Sequence, residues 1–369
     1  MWKAATRVSM WWSRSLCFIL SMLIVASCAP APASITTATP DPIPVFAYYY
    51  IWFDTNSWNR AKTDYPQLGR YTSDDANVMR QHIEWAKSAG INGFIVSWKN
   101  TDSLNRRLDQ LVSIADQEKF KLAIIYEGLD FTRKPLPTDQ ISAGLDYFIN
   151  HYASKPAFDY FGKPMIIWSG TWQFSRDEIS SVVQSRRQSL LILASEKNVQ
   201  GYTRLADLVD GNAYYWSSVN PDTFTGYADK LTAMGEAIHA NGGYWIPPAS
   251  PGFDARLVGG TTVVDRKNGQ TLRTEMNVAY RSAPDVVGLI SWNEFSENSY
   301  IEPSQTYGDQ YMKLMTDIRH LPNPQVTEFD SSASGTTLNR FTLSQVAALG
   351  MLGTLVFVAL FVIFKRFKQ

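Results

Sequence analysis

Two hydrophobic periods alternate along the middle of this chain. Short apolar runs rich in β-formers stand at 45–53 (VFAYYYIWF), 93–98 (GFIVSW), 121–127 (KLAIIYE), 164–169 (PMIIWS), 190–196 (LLILASE), 211–216 (GNAYYW), 244–250 (YWIPPAS) and 288–295 (GLISWNEF). Between them lie longer segments of helical period. In the first, Val78, Ile83, Trp85, Ala86 and Ala89 form an apolar face; Ser73 or Asp74 can cap it and Gly90 can end it. Further helices are predicted near 101–118, 138–153, 175–187, 222–241, 270–284 and 306–319, with a short, weak segment around 203–209. Eight strands alternating with helices predict an α/β fold, a (β/α)8 TIM barrel over 45–321. An open doubly wound sheet would show the same alternation, but no Gly-rich phosphate loop follows the first run.

The two ends read differently. Residues 1–28 combine Lys3, Arg7 and Arg14 with an apolar stretch from Leu16 to Ala26, the pattern of a signal peptide. Val25-Ala26-Ser27-Cys28 resembles a lipobox, which would make Cys28 a lipidation site; Ala31-Pro32-Ala33 offers an ordinary cleavage site instead. A Pro/Ala/Thr linker follows at 29–44, and a Ser/Thr-rich stalk at 322–342. Residues 343–364 predict a transmembrane helix, and 365–369 a basic tail. Lys365, Arg366 and Lys368 would keep that tail cytoplasmic, leaving the folded domain extracellular at the cell membrane, with lipid as a partner through the helix and Cys28.

Charge narrows the function classes. The 369 residues carry 34 basic and 34 acidic side chains, so the net charge of zero argues against a nucleic-acid partner. The four His (82, 151, 239, 320) never fall at metal-ligand spacing, and both Cys lie in the leader. That pattern predicts no His/Cys metal site, and nothing calls for a cofactor. Aromatics reach 13%, with 12 Trp and 18 Tyr, enough to supply flat platforms for sugar rings as well as a core.

Candidate chemistry sits where barrel enzymes keep it, at the C-terminal ends of strands. Those ends carry Tyr49, Tyr50 and Trp52, then Trp98, Glu127, Trp168, Glu196, Tyr215 and Trp216, and finally Trp292, Asn293, Glu294 and Glu297. Rings to stack on pyranoses and paired carboxyls for acid and base work form the inventory of a polysaccharide- or oligosaccharide-cleaving site. Glu294 and Glu297 can reach one scissile bond only if the chain turns after Phe295, because a continuing strand would hold them about 10 Å apart. Tyr48 and Tyr50 share one strand face and Tyr49 takes the other, so one set lines the site and the rest is core.

Three stretches carry a family resemblance: TDYPQLGRYTSDDANVMRQHIEWAKSAGINGFIVSW (63–98), KPAFDYFGKPMIIW (155–168) and PDVVGLISWNEFSENSYIEP (284–303). They resemble, in order, glycoside hydrolase family 99, the endo-α-mannosidase family with related bacterial domains. The family's Asn-Glu-x-x-Glu motif with a third Glu is matched by Asn293, Glu294, Glu297 and Glu302. The resemblance implies that Glu297 is the general acid/base and that Glu294 deprotonates the sugar 2-hydroxyl. Retention through a 1,2-anhydro sugar would follow, with Asn293 steadying a carboxylate. It also implies that Glu127, Tyr48, Tyr49 and Trp98 lie near the reacting sugar. Departures from the family pattern are Asp64 before Tyr65-Pro66, Phe295-Ser296 between the two Glu, and Asn298-Ser299-Tyr300 after them. Mannose specificity is therefore not carried over, and α-mannan and α-glucan both stay open as substrates. A retaining, endo-acting, membrane-anchored hydrolase is the function expected. Its alternatives are a non-catalytic surface glycan binder on a degenerate barrel and a transglycosylase of surface polysaccharide.

Overall fold

A computed structural model describes residues 43–60 and 62–320. Contacts divide the chain into Met1–Arg319 and His320–Gln369, and the first unit is the one described here. Its strands are β1 (Val45–Tyr50), β2 (Gly93–Trp98), β3 (Lys121–Glu127), β4 (Met165–Ser169), β5 (Leu191–Leu193), β6 (Gly211–Ala213), β7 (Tyr244–Ile246), β8 (Pro248–Ala249) and β11 (Val287–Leu289). A small antiparallel pair, β9 (Phe253–Asp254) and β10 (Val263–Val264), stands between β8 and β11. The helices are α1 (Ala76–Ser88), α2 (Asp102–Glu118), α3 (Thr138–Tyr152), α4 (Arg176–Val183), α5 (Val199–Thr203), α6 (Tyr227–His239), α7 (Gln270–Arg281) and α8 (Gln310–His320).

Local chemistry explains several boundaries. Asp75, rather than Ser73 or Asp74, caps α1 by accepting from the Asn77 N–H at 2.9 Å. Asp74 is engaged elsewhere, holding Arg106 and Arg107 at 2.8 and 2.7 Å. Ser175 and Glu178 form a reciprocal capping box at the start of α4. Gly93 opens β2 where a Cβ would stand 2.5 Å from the Phe46 ring, so any side chain there would displace that ring.

Each apolar run carries a strand, and the strands are buried on both faces with period two. Val45, Ala47 and Tyr49 of β1 join Phe94, Val96 and Trp98 of β2 in the layer packed under the helices. Phe46, Tyr48 and Tyr50 face the other way, with Ile95, Ile125, Ile167, Leu193, Ala213, Ile246 and Ile290, and fill the concave side.

The ladder corrects the closed TIM barrel expected from the run count. Hydrogen bonding gives a seven-stranded parallel sheet in the order β5-β4-β3-β2-β1-β11-β8, with β6 and β7 as a separate two-stranded sheet. A single bridge, Ala194 with Asn212, links the region of β5 to β6. The result is a curled, incomplete wall. Short strands are the cause: β5 and β6 have three residues each, and Pro247, which lacks an N–H, splits the seventh run into β7 and β8.

The membrane expectations are also corrected. Among the described residues no helix is long and apolar enough to cross a membrane. The leader 1–28 with Cys28, most of the linker 29–44, the stalk 322–342, the helix 343–364 and the tail 365–369 lie outside the described residues. The lipid partner, the membrane anchorage and the cell-surface location that rested on them are withdrawn.

Candidate active site

The segment after β11 makes the turn that two converging carboxyls require. Phe295 to Asn298 reverse the chain, and Ser291 and Ser299 come together through an N–H···O bond of 2.7 Å. Glu294 is buried at the start of the turn. Its N–H donates to Ser291 Oγ at 2.8 Å, and its Oε1 accepts from the Ser296 N–H at 2.9 Å. Burial, and then the charge of Glu297, push the Glu294 carboxyl up to about 7, against the pull of Ser296 and Lys62. Glu297, half-buried, is also raised by burial, with Arg133 opposing. Neither carboxyl forms an ion pair with another described residue.

β1 brings Tyr50 beside this pair. The Tyr50 and Tyr215 hydroxyls are hydrogen-bonded at 2.7 Å, and Tyr48 meets the Tyr215 ring edge-on at 5.0 Å. Burial, followed by Tyr215, Glu294 and Glu297, raises the Tyr50 phenol. Trp52, 42% exposed, stacks one face on Tyr50 with centroids 4.4 Å apart and leaves the rest of its ring to solvent. Glu127, at the end of β3, accepts from Ser97 Oγ at 2.9 Å; burial raises it, while Ser97, Arg133 and Lys99 pull it back. Glu127, Glu294, Glu297, Tyr48, Tyr50 and Tyr215 thus form one concave group at the strand ends.

The other candidates lie behind it. Asn293 clamps the Tyr50 backbone, its Oδ1 accepting from the Tyr50 N–H at 2.9 Å and its Nδ2 donating to the Tyr50 carbonyl at 3.0 Å. Glu302 accepts from Tyr71 Oη at 2.9 Å and bonds His82 Nε2 at 3.0 Å. With Nε2 donating to the carboxylate, His82 Nδ1 accepts from Tyr49 Oη, also at 3.0 Å. Tyr49 and Trp292 therefore pack under the helices around His82. Trp98 is buried there too, its Nε1 donating to Asn105 Oδ1 at 3.1 Å. Among the described residues no group of His, Cys, Asp and Glu is arranged to hold a metal ion.

Reading strand ends for rings and carboxyls alone passes over Tyr71 and His82, which reach the network from outside the strands. It also misses the cations Lys62, Lys99, Arg133 and Lys197. Lys99 and Lys197 directly follow the second and fifth runs, and that adjacency was the available signal.

Coupled carboxyls flanked by aromatic rings at the ends of parallel strands are the features of the glycoside hydrolase class. The comparisons narrow this further. The chain belongs to glycosyl hydrolase family 99, whose model matches residues 55–323. It is similar to the glycoprotein endo-alpha-1,2-mannosidase of Rattus norvegicus, with 24% identity over 67% of this chain and 59% of that protein. A mutanase of Penicillium rubens is also 24% identical, over 70% of this chain and 59% of its own length. The chain thus spans about 59% of the length of these two relatives. Among solved structures, the family 99 endo-alpha-mannosidase of Bacteroides thetaiotaomicron shares the fold, with TM-score 0.67 and 19% identity over 74% of this chain and 96% of that one.

Proposed function

We propose that this protein hydrolyses internal α-linked glycosidic bonds of a polysaccharide or oligosaccharide, an α-mannan or an α-glucan, with Glu297 and Glu294 as the reacting pair. The observation that carries the reading is two neighbouring carboxyls, both raised and without an ion-pair partner among the described residues. Burying a carboxylate in that state costs stability, a cost that catalytic sites characteristically carry.

In the proposed reaction Glu297 protonates the glycosidic oxygen as its bond to C1 breaks. Glu294 takes the 2-hydroxyl proton, and O2 closes on C1 to give a 1,2-anhydro sugar. Water, deprotonated by Glu297, then opens that ring at C1 as Glu294 returns its proton to O2, so configuration is retained. The pair works while it holds one proton and titrates as a unit. Burial of both carboxyls, with the charge of Glu297 acting on Glu294, favours that single proton on the pair. A 2-hydroxyl at Glu294 and a glycosidic oxygen at Glu297 would place it on Glu297. Tyr50, Tyr215 and Glu127 would border the reacting sugar, with Trp52 as a platform beyond it. Asn293 would act through the Tyr50 backbone as a positioning residue, with Glu302 behind it holding Tyr71, whose hydroxyl accepts from Asn293 Nδ2 at 3.3 Å.

A panel of α-mannans and α-glucans assayed for reducing-end release tests the proposal, with Glu297→Gln in parallel. Release by the wild type that is lost in the variant supports it. Equal release by both rules out this pair, and binding without release favours the glycan-binding alternative.

A further inference from the structure

Three cations act on the carboxyl cluster and two more adjoin them, and among the described residues none of the five forms an ion pair. Lys62 lies in the segment between β1 and α1, Lys99 follows β2, and Arg133 sits in the loop after β3. Lys197 follows the fifth run, and Lys230 is in the first turn of α6, beyond β6. Lys62, Lys99, Arg133 and Lys197 come from segments that follow the C-terminal ends of strands, and Lys230 from the helix beyond β6. Other cations of the chain are paired with carboxylates, as in Arg186 with Asp146, Arg256 with Asp254 and Lys267 with Asp222.

Rings take the place of carboxylates here. Lys99 Nζ stands 4.7 Å from the Phe131 centroid, and that ring is 96% exposed. Lys197 Nζ is 3.9 Å from Trp172, and Lys230 Nζ is 4.9 and 4.6 Å from Tyr214 and Trp216. Electrostatic contact links the set: Arg133 reaches Glu127, Glu297 and Lys197, Lys197 reaches Lys230, and Lys62 reaches Glu294. Arg133 has φ 65, a left-handed conformation costly for any residue but glycine. The remaining local carboxylates are occupied. Glu196 bonds Arg204, though it also reaches Lys197, and Asp54 and Asp130 accept N–H groups of their own loops.

Lys62, Lys99 and Arg133 thus act directly on three carboxyls that burial already pushes toward neutrality, and Lys197 and Lys230 extend the positive charge outward from Arg133, on a chain whose net charge is zero. A neutral pyranose needs rings and hydrogen bonds but gains nothing from clustered like charges, which repel until an anion arrives. We propose that the glycan cut here is acidic, its sugars around the scissile bond carrying carboxylate or phosphate groups that Lys62, Lys99, Arg133, Lys197 and Lys230 receive. The proposal rests on the reading of Glu294 and Glu297 as the cleaving pair and adds the substrate's charge to it.

The test compares two matched polymer pairs: amylose against C6-oxidised amylose, which carries carboxylates, and neutral yeast mannan against phosphomannan. Release is followed from 50 to 500 mM salt, and binding is measured by affinity electrophoresis with Glu297→Gln. The expected result is a preference for one acidic partner, which names carboxylate or phosphate, with KM rising about tenfold across the salt range. The double variant Lys197→Gln/Lys230→Gln should raise KM for that polymer about tenfold with little change in kcat. Lys313→Gln, which removes a charge from α8, should leave the salt response unaltered. Salt-insensitive cleavage of the neutral polymers alone would overturn the acidic glycan while the glycosidase stands. Salt-sensitive binding of an acidic polymer with no cleavage of any would do the reverse. Failure of Glu297→Gln to bind either acidic polymer at 50 mM salt also overturns the acidic glycan.

Discussion

Glu294 and Glu302 leave the same short segment after β11, yet they sit in opposite circumstances. Glu302 is sealed under the helices with Tyr71 and His82 on its two oxygens. Glu294 faces the concave side, where it receives one backbone N–H and the charge of Glu297. A carboxylate whose oxygens are all engaged stabilises a fold. One left short of partners beside a like charge costs stability and keeps its reactivity.

Predictions follow from that contrast, and the largest effect is expected on the open side. Glu297→Gln should lower glycan cleavage by about 10²–10⁴-fold, the usual worth of a general acid, while its thermal midpoint stays within a few degrees of the wild type. A variant that melts far earlier would show Glu297 to be structural. The closed side should behave in the opposite way. Glu302→Leu leaves the Tyr71 hydroxyl proton without an acceptor and a His82 nitrogen without a partner, so urea unfolding should show a loss of about 2–5 kcal/mol. A fully stable Glu302→Leu would remove the distinction drawn here.

Next comes the pH dependence of stability. A carboxyl raised to about 7 in the folded protein binds its proton more tightly there than in the unfolded chain. Its contribution is therefore full below its unfolded value near 4.5 and is lost as pH rises through about 7. Glu294→Gln should gain on the wild type between pH 4 and pH 8, by about 3 kcal/mol at most. Paired unfolding curves at the two pH values measure this, and parallel curves would mean that Glu294 is not raised.

Smaller effects should separate the two faces of the same strands. Tyr50→Phe removes a hydroxyl bonded to Tyr215 and should lower activity about tenfold with stability nearly unchanged. Trp98→Phe gives up the bond to Asn105 under the helices, so it should cost about 1 kcal/mol of stability and leave kcat alone. An exchange of these two signatures would place the reacting sugar on the helix side of the sheet.

Much of this was written in the chain order. Strand and helix positions followed from the period of apolar residues, because burial on a sheet face or a helix stripe imposes that period whatever surrounds it. The turn at Phe295 to Asn298 was required by the spacing of Glu294 and Glu297 as soon as both were asked to meet one bond. The alternation in β1 likewise set Tyr49 against Tyr48 and Tyr50, since neighbouring strand residues point oppositely.

What needed the tertiary structure was which side was which. No local pattern says whether Tyr49 or Tyr50 faces the concave side; that depends on where the helices pack. Closure was equally out of reach, because it turns on whether the three-residue strands β5 and β6 pair as a ladder or through a single bridge, which the apolar period does not encode. The same holds for the cations. Lys62, Lys99, Arg133, Lys197 and Lys230 look like ordinary solvated charges in a neutral composition until four loops and the start of a helix bring them together. Charge adds through space and not along the chain, so its clustering could be decided only by the fold.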